Sequence, residues 1–150
     1  MATSQHWKDT SAGTPTTLLS TALNSLAGSA LSADYDNSAN LDLFADFEFL
    51  VEYVISAPTA GTIAANLYLV PSLDGSNYAE GGTSVQSQAA NLIASFESRN
   101  GSASTFERLI VTGVALPPGH MKFLLINVSG HVLATSGNTL RMRTYQLQSV

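Results

Sequence analysis

Asp46, Glu48 and Glu52 come closest, in this chain of 150 residues, to a spacing that could do chemistry. On an extended backbone Asp46 and Glu48 share a face roughly 7 Å apart, and paired carboxylates at such separations can cleave a glycosidic bond. They alternate, however, with Phe47, Phe49 and Val51, so they read as the wet side of an amphipathic strand. His6, His120 and His131 have no second histidine or carboxylate at metal-ligand spacing and read as arm or turn residues. Asp34-Tyr35-Asp36-Asn37 is a fragment of a calcium loop without its central glycine and closing glutamate, and reads as an Asx-rich turn. Asp74-Gly75 is a turn dipeptide on the same reasoning. No Gly-x-Ser-x-Gly elbow and no phosphate-cradling loop occurs. The chain reads as a non-enzyme with no catalytic, cofactor or metal residues.

Aromatic residues in polar surroundings offer binding rather than catalysis. Trp7 lies in a polar tail between His6 and Lys8, with little nearby in sequence to pack on. A large ring in that position is expected to anchor in a partner's pocket. Contact with a partner or a neighbouring protomer is therefore assigned to His6, Trp7 and Lys8. Tyr35 and Tyr78 fall in turn segments, where an aromatic ring commonly pins its own loop. The alternative for Tyr78 is contact with a sugar face.

Composition narrows the partners. Charged residues make up only 11% of the chain, against the usual quarter. Polarity comes instead from Ser, Thr, Asn and Gln, which suits broad hydrogen-bonding contacts. Net charge is −5, and the six basic residues form no run. Nucleic-acid binding needs clustered Lys and Arg to displace counterions, so it is disfavoured. Arg141 and Arg143 share one strand face and read as solvated. Cysteine is absent, which removes disulfides and thiolate chemistry. No apolar run approaches a membrane span and the N-terminus lacks a signal-peptide core, so a soluble species with no membrane partner is expected.

The elements that must carry these residues are strands. Leu41, Leu43, Ala45, Phe47, Phe49, Val51, Tyr53 and Ile55 occupy one parity, with the acids on the other. This predicts an amphipathic strand over 41–55, about 50 Å long, which would bend between sheets or reach past its own domain. Further strands are expected over 63–70 (closed by Pro71), 91–96, 106–116, 121–128 and 139–148, with a brief pairing over 132–135 and a polar loop over 72–88. Leu and Thr over 16–31 favour an edge strand, and a helix over 17–26 is the alternative. Turn signals about every ten residues and the absence of βαβ alternation predict an all-β fold. Among all-β folds they favour a jelly-roll-like antiparallel β-sandwich of about seven or eight strands. Residues 1–15 are expected to be a flexible N-terminal arm and 16–150 a single sandwich domain.

Three segments carry a family resemblance. They are Asn66-Leu67-Tyr68-Leu69-Val70-Pro71-Ser72-Leu73-Asp74-Gly75-Ser76-Asn77-Tyr78, the run from Leu116-Pro117-Pro118-Gly119 to Asn127, and Ala134-Thr135-Ser136-Gly137-Asn138-Thr139-Leu140. In this order they resemble small structural proteins of tailed bacteriophages, and specifically capsid cement (decoration) proteins. The resemblance implies a jelly roll without cofactors, made in the host cytoplasm and placed on the outside of the virion capsid. It also implies two partners, the major capsid protein and the chain itself as a homo-oligomer, dimer or trimer. A phage tail or baseplate module binding host glycans, with Tyr78 at the contact, is the alternative.

Overall fold

Strict alternation builds the centre of the molecule. In the computed structural model, which describes residues 4–39, 41–79 and 91–149, Phe44–Val51 forms a strand whose residues are half-buried and buried in turn. It is the fifth of ten strands among the described residues. They run β1 (Gln5–Asp9), β2 (Thr16–Leu19), β3 (Ser29–Leu31), β4 (Tyr35–Asp36), β5 (Phe44–Val51), β6 (Ile63–Ser72), β7 (Leu92–Glu97), β8 (Glu107–Ala115), β9 (His120–Asn127) and β10 (Thr139–Ser149). All pairings are antiparallel.

Two sheets result. The first has the order β1-β10-β5-β8, with β2 sharing with β1 the same partner, β10. The second has the order β3-β9-β6-β7, with β4 also on β9. Taking β1 with β2 and β3 with β4 as single interrupted strands gives a nested set of pairs: first with last, second with second-last, and so inward to β6 with β7. This is a long hairpin rolled up on itself, the jelly-roll topology of eight strands. The β5–β10 and β6–β9 ladders close the roll.

Inward residues of the two sheets fill one core. Ala45, Phe47, Phe49 and Val51 of β5 face Leu67 and Leu69 of β6, Phe96 of β7, and Met121, Phe123 and Leu125 of β9. Phe47 meets Phe123 edge-on at 5.3 Å between ring centroids, and Phe49 meets Phe96 at 5.5 Å. Such contacts add about 0.5–1.5 kcal/mol each beyond the burial of apolar area. A second cluster, Tyr68, Val70 and Leu124, lies on the opposite parity of β6 and β9, outside the sandwich. That explains why 121–128 reads as apolar on both faces.

The polar residues that replace charge are loop staples. Asn37 is buried; its amide donates to the carbonyls of Asp42 and Pro117, and its carbonyl accepts the Asp42 N–H. Asn127 ties Leu26 to His131, and Asn138 ties Glu52 to Ala134. Buried Glu107 accepts the Ser98 hydroxyl and the N–H groups of Arg99, Asn100 and Gly101, organising the turn before β8. Asn37, Asn127, Asn138 and Glu107 thereby keep partners that water would otherwise supply.

Several boundaries differ from those expected. The strand over 41–55 is regular only from Phe44 to Val51; Leu41 has φ of 50° and Ile55 is 89% exposed. Tyr53 makes a lone bridge to Leu133, which is the brief pairing expected over 132–135. The alternation was real, but the pattern of side chains does not report where the ladder ends. Pro71 does not close β6; it sits inside the strand opposite Met121. Residues 16–31 form neither one strand nor a helix, but β2, a 3₁₀ turn (Thr21–Leu23) and β3. Within the segment expected as an arm, Gln5–Asp9 form β1, paired with β10. The polar loop expected over 72–88 lies outside the described residues from Glu80 onward.

Candidate functional site

The sheet of β1, β10, β5 and β8 turns one face to the core and the other outward, and the outward face collects the residues of interest. Tyr145 of β10 lies opposite both Asp9 of β1 and Phe44 of β5. Its ring stacks on Phe44 at 5.9 Å, and Trp7 stands edge-on to both, 5.2 Å from Tyr145 and 5.6 Å from Phe44. Trp7 is thus not a ring in an unstructured tail. It ends an aromatic row on the rim of the sheet, and it remains 64% exposed. His6 and Lys8, on the other parity of β1, are also exposed and stand away from this row.

Beside the aromatic row the acids of β5 are engaged. Asp46 accepts hydrogen bonds from Arg143 at 3.0 Å, Tyr145 at 3.2 Å and the Gly113 N–H at 3.0 Å. Glu48 lies between two guanidinium groups, Arg141 at 2.6 Å and Arg108 at 3.3 Å. Arg141 and Arg143, expected to be simply solvated, are the cross-strand partners of these carboxylates, directly opposite in register. Position 52 is apart: the Glu52 N–H is held by Asn138. Asp46 and Glu48 are each held by basic partners, in ion pairs that Glu52 does not share among the described residues. Trp7, Asp9, Asp46, Arg143 and Tyr145 line an open depression of about 400 Å³. This surface combines an exposed ring, two carboxylates and a guanidinium, a composition suited to contact with another macromolecule.

Tyr78 is on the other sheet, and its groups are committed. Its hydroxyl donates to the Gly75 carbonyl at 2.9 Å, and the Lys122 ammonium sits 4.0 Å from the ring centroid. The ring packs against the outer cluster of Tyr68, Val70 and Leu124. Burial pushes its phenol pKa up, with Asp34 adding to the effect. Asp74, in the same turn, accepts the N–H groups of Ser76 and Asn77 and the Asn77 side chain. These bonds, the Asn77 N–H foremost, hold its carboxyl well below the usual range.

One constellation was invisible in the sequence. His120 opens β9, and its Nδ1 lies 2.8 Å from Asp34, with Nε2 3.8 Å from Asp36. The partners are 86 residues apart, brought together because β4 pairs with the start of β9. The Asp34 hydrogen bond raises the His120 pKa against a smaller opposing effect of burial. Asp36 itself accepts the Ser38 N–H, the expected Asx turn. His131, in the turn that follows β9, is hydrogen-bonded to Ser56 at 2.8 Å. Among the described residues no three His, Cys, Asp or Glu side chains gather as a metal site.

No protein-family model, curated protein or solved structure matches the chain.

Proposed function

We propose that the chain is a virion structural protein, an oligomeric cement protein that binds the outer surface of a tailed-phage capsid and stabilises it. The observation that carries this reading is Trp7, held exposed on an edge strand by Phe44 and Tyr145. A ring fixed in place loses little freedom on binding, so most of its burial becomes affinity. The segments that resemble phage proteins supply most of β6, β9 and the start of β10, chiefly in the sheet that packs behind the one carrying β1. Capsid binding asks for a rigid module with an accessible contact surface, and repetition over the capsid multiplies weak contacts. Charged groups on the sheet are largely paired with one another, leaving hydrogen-bonding and apolar contact to dominate.

The test is cosedimentation with empty heads of the phage that encodes the protein. Saturable binding, weakened at least tenfold in Trp7→Ala (about 1.4 kcal/mol), supports the reading. Absence of binding to heads overturns it. A truncation lacking residues 2–14 that binds heads as the full chain does would remove His6, Trp7 and Lys8 from the contact.

A further inference from the structure

The backbone of β1 dictates what can pair with it. The Thr10 N–H donates to the Thr144 carbonyl at 3.0 Å, and the β1–β10 register continues through Lys8↔Gln146 and His6↔Gln148. Backbone groups alternate sides along an antiparallel strand. Lys8 and His6 therefore turn theirs toward β10, and Gln5, Trp7 and Asp9 turn theirs to the open edge. The β10 side agrees: Tyr145, opposite Asp9, gives its carbonyl to the Leu43 N–H on its other flank. No described strand pairs with this edge of β1. It has no proline and no bulge to discourage pairing.

We propose that β1 pairs antiparallel with β1 of a second copy, about a two-fold axis through Trp7, so that two sheets become one. In this register Trp7 lies opposite the partner's Trp7, and Gln5 lies opposite the partner's Asp9. Every outward residue then faces an outward residue, and each such pair exchanges both N–H···O bonds. Any strand could satisfy the backbone, but a copy also satisfies the side chains. Directly paired residues share a face with Cα atoms about 5.5 Å apart, so the two Trp7 rings join two aromatic rows end to end. The Gln5 amide meets the partner's Asp9 carboxylate on that same face. Isologous contacts of this kind close on themselves and do not propagate into filaments.

The interface is small. Five residues of strand per copy fall below the roughly 1,200 Å² of a stable complex, so the dimer is weak in dilute solution and gains from being held in an array. This deepens the capsid reading, on which it rests only in giving β1 to the neighbouring subunit.

The chain has no cysteine, so introduced thiols report register without background. His6→Cys and Lys8→Cys chains, each retaining Trp7, are mixed and oxidised mildly. The proposed register places these two positions opposite each other across the axis, and the mixed disulfide forms about tenfold faster than either chain alone, because pairing raises their effective concentration. Leu73→Cys, at an exposed site on the other sheet, serves as the control. Trp7→Pro removes an outward N–H and the ring but no bond to β10, and it abolishes concentration-dependent sedimentation. Equal rates for all pairings, or a dimer unaffected by Trp7→Pro, overturn the proposal. Cosedimentation of the native chain with heads separates the two readings: saturable head binding by a chain whose His6→Cys and Lys8→Cys forms cross-link no faster mixed than alone sinks the dimer and leaves the capsid role standing.

Discussion

The Asp46 carboxylate accepts the backbone N–H of Gly113 at 3.0 Å, across a bulge in the β5–β8 ladder. The register steps from Ala45↔Val114 to Phe47↔Val111, so Thr112 and Gly113 both oppose Asp46. Gly113 has φ of 73°, a conformation that glycine adopts freely. The bulge leaves an N–H without a ladder partner, and Asp46 supplies one while also holding Arg143 and Tyr145. Asp46→Ala is expected to lower stability by about 1–2 kcal/mol, and Asp46→Asn by less, since the amide oxygen can still accept the Gly113 N–H. Urea unfolding of the two variants checks the order. Equal loss in both would mean that charge pairing with Arg143, not the bulge, is what Asp46 supports.

Phe47 is the core position whose loss should cost most. It is fully buried at the centre of β5 and meets Phe123 of the opposite sheet. Phe47→Ala removes that contact and opens a cavity between the sheets, at a cost of about 3–5 kcal/mol. Phe47→Leu should lose markedly less. Thermal and urea denaturation give the comparison, and a small loss for Phe47→Ala would mean that the sheets close over the gap.

The centre of the fold was legible because alternation is local. Ala45 to Tyr53 declare their buried parity without knowledge of any neighbour, and the turns between strands are written in Pro, Gly and Asn. What was not legible depends on partners far along the chain. Whether Gln5–Asp9 is a tail or a strand is decided by the free edge of β10, some 140 residues on, which no property of Trp7 announces. Likewise Asp34 and His120 acquire a relationship only through the β4–β9 pairing. The acids of β5 were readable as outward-facing, but their pairing with Arg141 and Arg143 required the register between β5 and β10. Ladder ends were misplaced where apolar residues continued beyond the last ladder hydrogen bond, as at Leu41 and Ile55.

Asn37 tests whether the staples are as important as the core. Its side chain satisfies three backbone groups in the segment between β4 and β5 and at Pro117. Asn37→Ala strands these groups in a buried site and is expected to cost about 1–3 kcal/mol. Asn37→Asp should be worse than its size suggests, because a carboxylate cannot donate to the Asp42 and Pro117 carbonyls and adds charge beside buried Asp42. Hydrogen exchange of the Asp42 amide, faster in Asn37→Ala than that of the core strand amides, distinguishes local opening from global loss, since only that variant removes its acceptor.

His120 links stability to pH in a direction opposite to the carboxylates. Its pKa is raised above the ordinary 6.5, chiefly by the hydrogen bond to Asp34, with Asp36 and Asp74 also favouring the charged ring. The protonated form is thus favoured in the folded state. Its contribution is fully present below the unfolded pKa near 6.5 and is lost as pH rises through the higher folded value. The melting temperature of the native chain should therefore fall, relative to His120→Gln, as pH increases from about 6 to about 8. His6 and His131 are common to both proteins, so the difference isolates His120. The neighbouring Gly75 offers an independent handle. A Cβ there would lie 2.9 Å from His120 Nδ1, on a backbone with φ of 71°. Gly75→Ala should displace the imidazole from Asp34 and bring its NMR titration midpoint down toward the unfolded value. A midpoint that stays raised in Gly75→Ala would mean that the three carboxylates around the ring hold its charge without the Asp34 hydrogen bond.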